Sequence, residues 1–244
     1  IESFVYWGNP AHRYSEAAMS ALPPSGDSAV PAIADYDQDG YVDIAFPGGH
    51  IYPGGKQGFQ SDQHLDLGIE PGQGASTADL NRDGLSDVVV HRKSVSIEVS
   101  PEANHEYLYL RNTNPKGLPF QPARPVTLKL GGGLCFYDVD GNGLEDAITL
   151  KKSTEARGLD EVVWQRNLGG DPPRFAAAKS LEGIDPHWPA SWAPVTDGPK
   201  RGLLVQHDTW QRVSFYEQLS AGKHPRFRYA DTAVSDSALV SLSD

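Results

Sequence analysis

The chain has 244 residues, enough for one large core or two modest domains, and its 25 glycines and 19 prolines favour many short strands over long helices. A formal net charge of -11 excludes a sequence-independent nucleic-acid binder, which needs a basic stripe to neutralise phosphates. The single cysteine, Cys135, excludes an internal disulfide framework, and no run of about 18 apolar residues offers a membrane-spanning helix.

In chain order, Phe4-Val-Tyr-Trp-Gly-Asn9 reads as a strand ending in asparagine, and Tyr14 as an aromatic opening the next strand. Asp35-Tyr-Asp-Gln-Asp-Gly-Tyr-Val-Asp43 follows, a loop with oxygen-bearing side chains at positions one, three, five and nine around a glycine at six. Behind it come the strand signals Ile44-Ala-Phe46 and Ile51-Tyr52, then Phe59. The loop returns as Asp79-Leu-Asn-Arg-Asp-Gly-Leu-Ser-Asp87, with Val88-Val-Val90, Tyr107-Leu-Tyr-Leu-Arg-Asn112 and Phe120 behind it. A third copy, Asp138-Val-Asp-Gly-Asn-Gly-Leu-Glu-Asp146, leads into Ala147-Ile-Thr-Leu150, Val162-Val-Trp-Gln-Arg-Asn167 and Phe175. Cys135, in Gly-Leu-Cys-Phe-Tyr, reads as a buried structural thiol.

A fourth unit keeps the strands Leu203-Leu-Val205 and Val213-Ser-Phe-Tyr216 and the aromatic Phe227, but Lys200 and Arg201 stand where carboxylates belong. No calcium is expected there. The closing Val240-Ser-Leu-Ser-Asp244 matches the strand leading into a loop and sets Asp244 at its first position.

The aromatics recur roughly every fifty residues, and each unit holds about four short strands with period-two alternation, as in Leu108 and Leu110 or Val126, Leu128 and Leu130. The expected fold is all-β, a β-propeller of four-stranded antiparallel blades with very little helix. The units read as one propeller region: a half-blade at 1–29, blades at about 30–73, 74–132, 133–187 and 188–236, and a partial blade at 237–244. Two arrangements stay open. Either the end segments share a blade and close a ring of about five, or the chain is an arc of a larger propeller, the arrangement expected because a chain designed to close would finish its last blade.

Oxygen ligands without sulfur or histidine select a hard ion, and a flexible shell of oxygens suits calcium better than octahedral magnesium. An EF-hand also places glycine at six but requires a bidentate Glu at twelve between helices, whereas position twelve here is Phe46, Val90 and Thr149 inside strands. An Asp-Gly hairpin turn that holds no ion is the remaining alternative.

The pattern D-x-[DN]-x-[DN]-G-x-x-D between two strands, at blade spacing, resembles the FG-GAP/VCBS repeats of integrin-alpha-like propellers, strongly over residues 30–178 and weakly beyond. The resemblance implies a loop joining the first two strands of a blade, holding calcium through side chains one, three, five and nine and the carbonyl of position seven. The implied ligands are Asp35, Asp37, Asp39, Asp43 and the carbonyl of Tyr41; Asp79, Asn81, Asp83, Asp87 and Leu85; and Asp138, Asp140, Asn142, Asp146 and Leu144. About three ions are expected.

Such calcium is expected to stiffen hairpins rather than to catalyse, and loops of moderate affinity fill where calcium is plentiful, so an extracellular, periplasmic or cell-surface location is expected. The leading functional expectation is a recognition, adhesion or scaffold module that binds a protein or glycan ligand on a propeller face. Trp188, Trp192, Trp210, Tyr36 and Tyr41 are the candidate contact aromatics. A lyase-like, polysaccharide-degrading propeller is one alternative, with His50, His64, His91, His105, His187, His207 or His224 as available bases, although none sits in a recognisable catalytic constellation. A structural subunit of a larger chain or complex is another.

Overall fold

A computed structural model describes residues 3–8, 13–22, 30–60, 62–92, 105–114, 120–151, 161–184, 189–195, 201–207, 212–222 and 224–234. Strands β1 (Ser3–Tyr6) and β2 (Met19–Leu22) pair as an antiparallel ribbon, with one 3-10 turn at Glu16–Ala18 between them. Four antiparallel sheets of four strands follow, each meandering in chain order. The first contains β3 (Ala32–Ala34), β4 (Asp43–Phe46), β5 (His50–Tyr52) and β6 (Leu65–Asp66). The second contains β7 (Gly74–Ala78), β8 (Asp87–His91), β9 (His105–Leu110) and β10 (Val126–Leu130). The third contains β11 (Gly132–Tyr137), β12 (Asp146–Lys151), β13 (Glu161–Gln165) and β14 (Lys179–Ser180). The fourth contains β15 (Pro189–Val195), β16 (Gly202–His207), β17 (Arg212–Ser220) and β18 (Arg226–Val234).

The fold is all-β, and the four sheets are blades of a β-propeller. No α-helix occurs among the described residues. Each acidic loop joins the first and second strands of its blade, as β3 to β4, β7 to β8 and β11 to β12. The closing segment with Asp244 lies outside the described residues, as does Lys200.

Second strands are buried along almost their whole length: Asp43–Phe46 and Asp87–Val90 have no exposed residue. A sheet covered on both faces needs a continuous apolar run instead of alternation, and Ile-Ala-Phe and Val-Val-Val supply it. The outer β10 instead alternates, with Leu128 and Leu130 buried and Thr127 and Lys129 exposed.

The chain divides into two compact units. One comprises Ile1–Asp79, Asp83–Val95 and Glu106–Lys129, and its core gathers Tyr36, Ala45, Ile51, Val88, Leu110 and Phe120 from its two blades. The parallel bridge between Val30 and Gly74 sets the entries to β3 and β7 side by side. The other comprises Leu80–Arg82, Ser96–His105 and Leu130–Asp244, with a core around Tyr137, Val139, Ile148, Trp164, Leu203 and Tyr216. Cys135 is buried in that core, where loss of hydration pushes its thiol up to about 12 and keeps it protonated.

The aromatics expected to open the fourth strands sit elsewhere in three blades. Phe59, Phe120 and Phe175 precede strands that begin at Leu65, Val126 and Lys179, and only Phe227 lies within its strand. Phe175 forms an isolated bridge with Asn167, and Phe120 packs edge-on against Tyr36, so these rings anchor the turn before the last strand.

Within each unit, a side-chain amide staples one blade to the preceding loop. Asn112 Nδ2 donates to the Tyr36 carbonyl at 2.7 Å, and Asn167 Nδ2 donates to the Leu80 carbonyl at 2.8 Å. Gln218 Nε2 does the same to Val139 at 2.7 Å, so the blade that lacks the acidic loop keeps the staple with a longer amide. Each acceptor is the second residue of an acidic loop, and its own side chain is buried. Asn167→Ala leaves the Leu80 and Glu145 carbonyls without that donor and is expected to cost about 1–3 kcal/mol, read as a lower urea midpoint. An unchanged midpoint would contradict the staple.

Candidate metal centre

The three loops fold by the same local rules. The first-position carboxylate accepts two backbone N–H groups with its two oxygens: Asp35 from Asp39 (3.1 Å) and Gly40 (3.0 Å), Asp79 from Asp83 (3.0 Å) and Gly84 (2.9 Å), Asp138 from Asn142 and Gly143 (both 3.0 Å). The fifth position accepts from the seventh, at 2.8 Å for Tyr41 to Asp39, 3.0 Å for Leu85 to Asp83 and 2.7 Å for Leu144 to Asn142. These are Asx turns, so the ring of oxygens is held by the loop's own backbone.

Such tight curvature requires left-handed backbone at two places. Gly40, Gly84 and Gly143 take it at position six, with φ of 94°, 82° and 83°. Position four takes it too, through Gly141 but also through Gln38 (φ 57°) and Arg82 (φ 59°), where a side chain adds about 1 kcal/mol of strain or more. Both side chains reach the next loop: Gln38 Nε2 donates to the Gly84 carbonyl at 2.6 Å, and Arg82 Nη1 to the Asn142 carbonyl at 3.1 Å.

The ninth position differs from the other oxygen-bearing positions in being buried, with Asp43 at 2% exposure and Asp87 and Asp146 at 0%. One oxygen of each accepts the N–H of a residue at or just beyond the end of the third strand: Gly54 at 2.8 Å, Asn112 at 2.7 Å and Asn167 at 2.7 Å. The second oxygen accepts the position-two N–H in two loops, from Tyr36 at 2.8 Å and Val139 at 3.1 Å, and the Tyr109 hydroxyl at 2.8 Å in the other. Gly54 must be glycine, because a Cβ there would lie 2.1 Å from the Val42 carbonyl oxygen.

Carboxylate oxygens of Asp35, Asp37 and Asp39 can lie within 4.8 Å of one another, and so can those of Asp138, Asp140 and Asp146. That spacing suits a shared cation, since two oxygens on opposite sides of an ion bound at 2.3–2.6 Å are about 5 Å apart. These two clusters could hold a metal ion. The second loop keeps the same backbone but has Asn81 at position three, so its carboxylates form no such group among the described residues, and Asp83 pairs with Arg111 Nη2 at 3.2 Å. The donor set is oxygen throughout, which fits a hard ion.

Burial pushes the Asp43 carboxyl up to about 6 and those of Asp87 and Asp146 up to about 7, with repulsion from the neighbouring loop carboxylates adding to it and the backbone N–H groups opposing it. Asp37 is also raised, chiefly by loss of hydration. A positive ion among these groups would reverse the direction.

Other sequence candidates fall into place around the loops. Tyr36 is not a surface contact residue: it is 1% exposed because position two of the loop points into the blade core, whereas Tyr41 is 43% exposed. Trp192 packs partly buried against the second unit's core, while Trp188 and Trp210 lie outside the described residues. His50 and His64 meet edge-on at 5.0 Å, His64 lies against Tyr52, and His91 stacks on Tyr107 at 4.8 Å. Arg201 sits over the Tyr137 ring at 5.8 Å. A cavity of about 270 Å³ beside the first loop is lined by Asp37, Asp43, His64 and Gln63 with the apolar Ile51 and Phe120.

Arg111 and Arg166 are functional candidates that the sequence reading passed over. Each directly precedes the asparagine of its staple, so the recurring Arg-Asn pair was the available signal. Arg166 Nε pairs with Asp140 in the third loop. No protein-family model matches the sequence, and no curated protein matches it either.

The buried aspartates give the metal-free protein a definite pH dependence. Their folded pKa values lie above the unfolded value near 3.9, so between about pH 4 and 7 the unfolded chain binds fewer protons and stability falls as pH rises. Thermal unfolding in chelator is expected to show Tm falling across that window. The gain from added calcium should widen over the same range, and a gain that narrows with rising pH would contradict the arrangement.

Proposed function

We propose that the chain is a calcium-stabilised β-propeller of the FG-GAP/VCBS kind, acting as a recognition or scaffold module in an extracellular, periplasmic or cell-surface setting. The observation that carries this reading is the use made of the loop carboxylates. Each first-position aspartate folds its own loop and each ninth-position aspartate fastens the loop to the end of the third strand. An ion held by such groups neutralises mutual repulsion and stiffens the blade, a structural role. Calcium is favoured over magnesium because the donors form an irregular, chain-tethered shell rather than an open octahedron filled by water.

His50, His64 and His91 are packed against aromatic rings or each other, and the two carboxylates lining the cavity are loop residues already engaged by backbone N–H groups. That arrangement favours binding over acid–base turnover. Exposed Tyr41 on the first loop and Phe4, Tyr6 and Tyr14 around the β1–β2 ribbon provide aromatic surface for a protein or glycan ligand.

Removal of calcium is expected to lower Tm by about 5 °C or more, consistent with linkage at a site with excess ligand, and readdition should restore it. A melt indifferent to excess chelator contradicts the calcium assignment. Binding on a glycan or protein array without turnover of acidic polysaccharide supports the module, and turnover contradicts it.

A further inference from the structure

The three loops differ in one neighbour. The N–H groups that reach the ninth-position aspartates belong to Gly54, Asn112 and Asn167, and the residues directly before them are Pro53, Arg111 and Arg166. Arg111 therefore projects onto Asp83 of the second loop, and Arg166 onto Asp140 of the third. Arg82 brings a further guanidinium to the third loop through the Asn142 carbonyl. The first loop has four aspartates, Asp35, Asp37, Asp39 and Asp43, and a proline at the corresponding strand position. Among the described residues no arginine or lysine pairs with those four carboxylates.

A guanidinium keeps its charge at every accessible pH and offers several N–H donors to a carboxylate. Tethered beside a loop, it neutralises part of the same negative charge that a dication would, and it occupies a carboxylate oxygen that the ion needs. Arg111 takes up an oxygen of Asp83 in the second loop, and Arg166 takes up one of Asp140 in the third, where Asp138, Asp140 and Asp146 remain gathered within mutual reach.

We propose that a resident arginine grades the three loops. The first, with four carboxylates and no paired guanidinium among the described residues, is the site at which the fold depends on an external divalent cation, and Arg111 and Arg166 stand in for part of that charge in the second and third. This grading rests on the reading of the loops as calcium sites.

Calorimetric titration of calcium chloride into the chelator-stripped full chain tests it. One tight site and two weaker ones are expected, and Asp37→Asn should remove the tight phase. Arg111→Gln and Arg166→Gln should each tighten one weak site by about tenfold, and Pro53→Arg should weaken the tight one by a similar factor. Three equivalent sites that ignore the arginine substitutions overturn the grading and leave the calcium reading intact. Absence of calcium uptake by every loop overturns both.

Discussion

A buried carboxylate at the ninth position of each acidic loop is the constraint on which the blades depend. Asp43, Asp87 and Asp146 lie at the start of the second strands, out of contact with water, and each holds the backbone just past the third strand. A carboxylate in that position is costly to ionise unless N–H donors and a positive charge compensate it. The donors come from the fold itself. Positive charge comes, in the proposed function, from calcium, while Arg111 and Arg166 pair with other carboxylates of their loops, Asp83 and Asp140.

The same aspartates link loop chemistry to packing. Asn112 and Asn167 donate their main-chain N–H to the ninth-position carboxylate and their side-chain amide to the second residue of the preceding loop. One residue thus joins the first two levels of organisation, hairpin and blade seam. Gln218 preserves the second contact in a blade without the acidic loop, which shows that the seam can be made by an amide alone. The loops therefore add charge sensitivity to a seam whose apolar part, around Tyr36 and Phe120 or Val139 and Tyr216, is already built.

Much of the architecture was legible because it follows from period and composition. Val88-Val-Val90 could only be a short strand covered on both faces, and the loop glycines marked backbone that needs left-handed φ. The candidate ligands were legible for the same reason, as repeated oxygen donors at fixed spacing. What escaped was whatever depends on direction. Nothing in the composition of the first loop says that Tyr36 points inward while Tyr41 points out, since both are tyrosines set among its aspartates. Gln38 and Arg82 occupy left-handed backbone without being glycine or asparagine, so no composition rule marks them. Arg111 and Arg166 looked like ordinary strand-end cations, and only the meander brings them onto loops more than twenty residues back.

Hydrogen–deuterium exchange of the full chain, with calcium and with excess chelator, tests most directly whether cations in the loops tighten the blade through the ninth-position aspartates. The account predicts that calcium slows exchange together in the loops and at Gly54, Asn112 and Asn167, whose N–H groups those aspartates accept. Protection confined to the loop residues, or no change at all, would contradict it.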